Sequence, residues 1–233
     1  MPPLIHPLAS AAIAGIDEQG VEIIAGAPHI AAMKHAAHST RQPCDQPDLS
    51  GGEIVPGLAY MPDLLTPAEA AALIGRLGGI DLAPFRFQNW LGKRETASFG
   101  WRYDFADASF SPAAPIPDFL LPLRARLARF DGLAPEDFVQ ALVVRYDPGA
   151  GIGWHRDRPV FEDVAAISLG APATLRLRRR TASGFERAAL PLAPRSAYRL
   201  RGEARHGWEH SIVPLPEQRW SVSFRSLAQR RGR

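Results

Sequence analysis

Three residues carry the clearest chemistry in this chain: His155 and Asp157, separated by Arg156, and the more distant His210 in the segment Trp208-Glu209-His210. Two imidazoles and one carboxylate can occupy one face of a metal ion and leave its other positions open. That is the ligand set of oxygen-activating non-haem Fe(II) centres. Residues i and i+2 of a strand point the same way, so a strand over 152–157 is expected to turn His155 and Asp157 inward and Arg156 outward. His206 competes for the role of third donor. It follows the charged stretch Glu203-Ala204-Arg205, read as a loop, whereas His210 sits in an apolar-flanked strand, and His210 is the expected ligand. The single cysteine, Cys44, excludes an intrachain disulfide and a Cys-rich zinc site. A His-x-Asp pair by itself is ordinary surface chemistry; the distal histidine and two later arginines raise its weight.

Those arginines are Arg219 and Arg225. Their spacing is even, so a regular strand places both on one side, with Ser221 and Ser223 between them and Trp220, Val222 and Phe224 packed on the other. Guanidinium groups turned toward an interior need anions, because an unpaired buried charge is costly. The two Cα atoms would lie about 20 Å apart. Leaning inward, the side chains could bracket a short dicarboxylate, or one of them could pair with a protein acid. An Arg–carboxylate contact can be bidentate, which fixes orientation. Tyr146, ending the preceding strand, adds a phenolic donor. The plainer alternative is two surface charges on an edge strand.

The elements that must position these groups are short strands. Residues 140–146 and 152–157 flank a turn at 147–151, and strands are expected at 164–169, 173–179, 185–190, 196–200, 209–213 and 220–227. Before them, Thr66-Pro67-Ala68-Glu69 supplies an N-cap, a Pro at N1 and a Glu at N3, opening an amphipathic helix that ends near Leu77 at Gly78-Gly79. Residues 85–105 read as a strand or hairpin. Residues 117–129 read as a second helix with Phe119, Leu120, Leu123 and Leu127 on one face. Strands following two helices predict an α+β, mainly β fold: a double-sheet jelly roll with helices packed outside.

Residues 1–52 are rich in Ala, His and Pro and predict a poorly ordered extension, with at most a short strand over 21–25. Its His29, His35 and His38 are expected to be solvated rather than metal-binding. The functional domain should span 53–233. The chain of 233 residues is 46% hydrophobic and 22% charged, as for a soluble globular protein. It has no long apolar run and no charged leader, so a cytoplasmic monomer without membrane attachment is expected. The net charge of +3 hides an asymmetry. Residues 156–233 hold sixteen arginines against seven acidic residues, a balance of +9, leaving −6 on residues 1–155. A basic half of this kind favours a polyanionic partner such as nucleic acid.

Several stretches together resemble the AlkB family of Fe(II)- and 2-oxoglutarate-dependent dioxygenases. They are Arg145-Tyr146, Gly153-Trp154-His155-Arg156-Asp157, Ile167-Ser168-Leu169-Gly170, Pro194 to Tyr198, Trp208 to Ile212, and Arg219 to Arg225, covering about residues 53–228 in order. The resemblance implies a double-stranded β-helix in which His155, Asp157 and His210 bind Fe(II). It also implies that Tyr146, Arg219 and Arg225, with Ser221 beside them, hold 2-oxoglutarate, while O2 is the second co-substrate. It is closest in character to the bacterial DNA-repair type, with Gly92-Lys93-Arg94, Ser98-Phe99-Gly100 and Tyr103 matching a substrate-lid region. Two departures stand out: Val144 where the family often has Asn beside the co-substrate, and Arg158-Pro159 where several repair members carry acidic residues.

The implied reaction couples decarboxylation of 2-oxoglutarate to hydroxylation of an N-alkyl carbon, after which an N-methyl base is released with formaldehyde. The implied partner is alkylated nucleic acid, single-stranded DNA ahead of RNA, since a paired base must be flipped to reach such a pocket. Phe99, Trp101 and Tyr103 recur at spacing two and are expected to share one strand face as a stacking wall, unless they are simply core. Arg94 and Lys93 are candidate phosphate contacts. The competing readings are a dioxygenase of the same fold acting on a protein or small molecule, and a non-enzymatic nucleic-acid-binding jelly roll.

Overall fold

In the computed structural model, residues 54–228 are described, apart from 88–89 and 104–108. The expected extension over 1–52, with its short strand and its histidines, lies outside the described residues. From residue 54 the chain runs through β1 (Leu58–Met61), α1 (Pro67–Leu77), β2 (Ala83–Phe87), β3 (Trp90–Phe99), β4 (Trp101–Tyr103) and β5 (Phe110–Pro112). A turn of 3-10 helix leads into α2 (Leu121–Asp131), and a second such turn leads into β6 (Phe138–Tyr146). Then follow β7 (Ile152–His155), β8 (Phe161–Gly170), β9 (Ala173–Thr181), β10 (Gly184–Leu192) and β11 (Ala197–Leu200). A short helix α3 (Gly202–His206), β12 (Glu209–Ile212) and β13 (Arg219–Leu227) complete the described chain.

Two antiparallel sheets face each other. The larger has the order β1-β11-β8-β13-β6-β3-β2, the smaller β10-β9-β12-β7, and β4 with β5 forms a separate ribbon. This is the expected mainly β jelly roll. Alternation along each strand divides its side chains between two cores. Val144, Tyr146, Val164 and Ala166 of the large sheet meet Leu175, Leu177, Leu190 and Ile212 of the small one. On the other face, Ala165, Ile167, Leu169, Trp220, Val222 and Phe224 pack against Leu77, Leu120, Leu123 and Leu127 from the helical side. Strand β8 therefore reads as a nearly unbroken apolar run because both of its faces are buried.

The helix signals behave as their chemistry requires. Thr66 accepts from the Glu69 backbone N–H at 3.2 Å, and Glu69 accepts from the Thr66 backbone N–H at 2.8 Å, a complete capping box. The second helix begins with a 3-10 turn over Asp118–Leu120 before the α-helical part, and ends on Gly132 at φ 74°. Residues 203–205, read as a charged loop, instead belong to α3.

One break matters for the site. Gly100, at φ +76°, stands so close to the Val139 carbonyl that no Cβ fits there, and it ends β3 one residue after Phe99. Phe99, Trp101 and Tyr103 thus do not share a strand. Phe99 packs with the helix-side core, while Trp101 and Tyr103 belong to the β4–β5 ribbon.

Candidate metal and co-substrate site

The small sheet brings the two histidines together. His210 on β12 is the register partner of His155 on β7, and their ring centroids are 4.2 Å apart. Asp157 is not on that strand, contrary to the strand expected over 152–157: β7 ends at His155, and Asp157 lies in the loop before β8. It still joins the pair. One donor atom each from His155, Asp157 and His210 lie within 4.8 Å of one another, a set that could hold one metal ion. His206 is not among these donors: its Nε2 lies 2.9 Å from Glu162 Oε1 and its side chain is exposed.

The loop is held by Arg205, which no local motif marks. Buried at 2% exposure, its guanidinium donates to the carbonyls of Asp157 (3.2 Å), Arg158 (2.7 Å) and Phe161 (2.8 Å). Three carbonyls converging on one fork do for the loop what a ladder does for a strand. The Nδ1 of His155 lies 2.9 Å from the Gly153 carbonyl, which orients the ring and leaves Nε2 toward Asp157.

The electrostatics suit a metal. Burial first, and then neighbouring His155, pushes the His210 imidazole down to about 3, and burial likewise lowers His155. Both rings are therefore neutral near pH 7, with a lone pair available to a cation. Burial works against the Asp157 carboxylate, but Arg225, His210 and His155 outweigh it and hold the group below the usual carboxylate range. Arg225 does this directly, with Nε 3.1 Å from Asp157 Oδ2 and Nη1 3.1 Å from Gln140 Oε1. Gln140 in turn donates to the Trp101 carbonyl at 2.9 Å and to Ser98 Oγ at 2.9 Å. A hydrogen-bonded chain thus connects the carboxylate to the β4–β5 ribbon.

Arg219, six residues earlier on the same face of β13, is built differently. It is fully buried; Nε donates to Ser168 Oγ at 3.0 Å and the guanidinium lies 5.1 Å from the Tyr146 ring centroid. Its Nη1 and Nη2 are buried without a hydrogen-bond partner among the described residues. A cation in that state calls for an anion. A carboxylate fits, because it can take both free nitrogens at once. Ser221, Tyr146 and Tyr198 are buried with it, and burial raises the Tyr198 phenol to about 12, so it stays a hydrogen-bond donor. Val144, on the register partner of Ser221, is an apolar member of the inter-sheet core.

Around the metal-side loop the aromatic groups differ from the expected wall. Trp101 stacks on Phe110 with centroids 4.7 Å apart and planes 12° from parallel, and Phe110 meets Phe161 edge-on at 5.5 Å. Arg158 lies 4.8 Å from the Tyr103 ring centroid, so this departure from the family pattern touches the ribbon. Arg94 is buried at 7% exposure, its guanidinium 3.7 Å from the Phe85 ring centroid, whereas Lys93 is exposed. The contact of Phe110 with Phe161 joins distant stretches of the chain and leaves no local signal in the sequence. A cavity of about 290 Å³ opens beside Asp157, lined by Arg156, Arg158, Pro159, Arg205 and His206.

Comparison with known proteins agrees with this geometry. Residues 57–232 match the 2OG-Fe(II) oxygenase superfamily. A 140-residue stretch is 29% identical to the Alkylated DNA repair protein ALKBH8 homolog of Arabidopsis thaliana, covering 55% of this chain but only 38% of that longer protein. The structure of OsALKBH1 superposes with a TM-score of 0.54 at 16% identity, over 73% of this chain and 98% of that one. A Pseudomonas putida prolyl-4-hydroxylase superposes with a TM-score of 0.52 at 13% identity, over 74% and 94%. These two likenesses bear on the fold. Members of the matched family use Fe(II), 2-oxoglutarate and O2, and both the donor set around His155 and the open guanidinium of Arg219 fit them. The chain belongs to the 2OG-Fe(II) oxygenase superfamily and is similar in sequence to one AlkB-type repair protein.

Proposed function

We propose that this dioxygenase demethylates N-alkylated bases in nucleic acid, single-stranded DNA before RNA, as a repair of alkylation damage. His155, Asp157 and His210 hold Fe(II); Arg219, with Tyr146 and Ser221, receives the distal carboxylate of 2-oxoglutarate, whereas Arg225, also expected at the co-substrate, is taken up by Asp157 and Gln140. The observation that carries the co-substrate assignment is the pair of unpartnered, buried Arg219 nitrogens. When bound, iron, 2-oxoglutarate and O2 together oxidise the N-methyl carbon to N-hydroxymethyl, with succinate and CO2 as co-products. The hydroxymethyl group then leaves as formaldehyde and frees the base.

The chain's own residues bind, orient and exclude. Arg225 keeps Asp157 ionised and aimed, and through Gln140 it couples that aim to the ribbon carrying Trp101. The neutral imidazoles offer lone pairs without having to lose a proton first. The substrate reading is supported by the ribbon: Trp101, Phe110 and Tyr103 beside Arg158 combine aromatic and cationic groups, the usual materials for holding an unstacked base. Arg94 adds a buried cation. The name of the ALKBH8 homolog, an alkylated DNA repair protein, points the same way.

The test is to incubate the iron-loaded protein with N-methylated single-stranded oligonucleotides, with and without 2-oxoglutarate. Formaldehyde should appear only with the co-substrate. A second reading is a protein substrate, since a prolyl-4-hydroxylase shares this fold. Co-substrate turnover stimulated by a peptide and never by methylated DNA or RNA would establish that reading instead.

A further inference from the structure

The strand that lies beside the metal donors carries its strongest charge on the face turned away from them. On β9, Leu175 and Leu177 point into the inter-sheet core, so Arg176, Arg178 and Arg180 point outward. Arg187 on β10 is the register partner of Arg178, and Phe185 is the partner of Arg180. The guanidinium groups of Arg178, Arg180 and Arg187 lie 4.6, 4.9 and 5.6 Å from the Phe185 ring centroid. Those of Arg176 and Arg178 lie 4.9 and 4.5 Å from that of Trp154, two strands away on β7.

Four cations and two rings thus share one outer face, and among the described residues the carboxylate paired with them is Glu209, bonded to Arg178 at 2.7 Å. Arg179, on the opposite face of the same strand, shows the contrast: it is paired with both Glu186 and Glu203. Arg176, Arg180 and Arg187 have no carboxylate partner among the described residues. Like charges drawn onto one ring repel, and an external polyanion relieves that repulsion. Ring contacts hold the guanidinium planes in place and leave N–H edges for oxygen acceptors. Successive outward residues on a strand are about 6.8 Å apart, a spacing comparable to that of phosphates along an extended single strand.

We infer that this outer face of the small sheet is a second nucleic-acid contact, gripping the phosphodiester backbone of a single strand away from the nucleotide in the iron site. This rests on the nucleic-acid reading above. It predicts that the protein distinguishes long from short substrates by a device separate from its chemistry.

The experiment uses the whole, metal-loaded protein, the double variants Arg180→Glu/Arg187→Glu and Arg180→Gln/Arg187→Gln, and methylated single-stranded DNA of two lengths, a pentamer and a 25-mer. Melting temperatures confirm folding, and the Gln variant serves if the Glu variant is unstable. The 25-mer should bind about 10-fold more weakly to the variants. The slope of log K against log salt should fall by roughly 1.4, two lost contacts at about 0.7 each for single strands. Formaldehyde release from the pentamer should be unchanged. An unaltered affinity and salt slope on the 25-mer would overturn the inference, as would weakened binding of an acidic peptide or anionic vesicles with the oligonucleotide unaffected. Failure of the catalytic reading looks different: no formaldehyde from either length, whatever the 25-mer's affinity.

Discussion

Arg219 and Arg225 are the same residue type on the same face of one strand, yet their surroundings are opposite. Arg225 is complete within the protein, sharing its fork between Asp157 and Gln140. Arg219 has one nitrogen satisfied by Ser168 and two without a partner among the described residues. The first arginine builds the metal side, and the second is built for something that arrives. A buried charge can be kept because it completes a structure or because it awaits a ligand, and hydrogen-bond accounting tells the two apart.

The largest effects should come from breaking the completed side. His155→Ala, His210→Ala and Asp157→Ala should each leave no measurable turnover, checked by succinate formation and by Fe(II) binding. Asp157→Ala should also lower metal-free stability by about 3–5 kcal/mol, because it leaves Arg225 buried and unpaired. A denaturant titration measures that loss.

Neutralising each arginine sharpens the contrast. Arg225→Met should destabilise the metal-free protein by a similar amount, since Asp157 then loses its counter-charge. Arg219→Met should leave stability unchanged or raise it, because it removes a cation that nothing compensates. Equal losses in the two variants, read from chemical denaturation, would erase the distinction.

Asp131 tests the same logic from the acid side. It is fully buried at the end of α2, with Arg201 at 3.3 Å and Arg199 at 3.6 Å, but neither carboxylate oxygen has a well-directed hydrogen bond. Burial pushes it up to about 6 despite those arginines, whereas the aimed fork of Arg225 takes Asp157 the other way. A value above the unfolded 3.8 means that the folded chain holds the extra proton. The associated stability is fully present below about pH 3.8 and is lost as pH rises through about 6. Asp131→Asn should therefore gain on the wild type as pH rises from 4 to 7, seen in melting temperatures across that range. The smallest effect belongs to His206→Ala. Losing an exposed contact with Glu162 should cost no more than about 0.5 kcal/mol and leave Fe(II) affinity intact.

What the sequence disclosed follows from how local each signal is. The alternation Arg219-Ser221-Ser223-Arg225 against Trp220-Val222-Phe224 reads directly from the period of a strand, and the Thr66–Glu69 cap from four adjacent residues. Asp157 joins the two histidines by a route other than strand alternation. It sits beyond the strand and is positioned by Arg205, whose role depends on α3 folding back against the loop. The aromatic spacing of Phe99, Trp101 and Tyr103 misled because Gly100 interrupts it, and that glycine's need lies in the distant Val139 carbonyl. Phe110, Phe161 and Gln140 become legible only once β4–β5 and β6 are assembled.

The most direct test of the account is a calorimetric titration of 2-oxoglutarate into Mn(II)-loaded protein without oxygen, comparing wild type, Arg219→Lys and Arg219→Met. Removing the guanidinium should cost about 2–5 kcal/mol of co-substrate affinity, lysine should restore only part of it because the bidentate fork is gone, and Mn(II) binding should be unchanged in both variants. Equal 2-oxoglutarate affinity in all three proteins would contradict the co-substrate assignment.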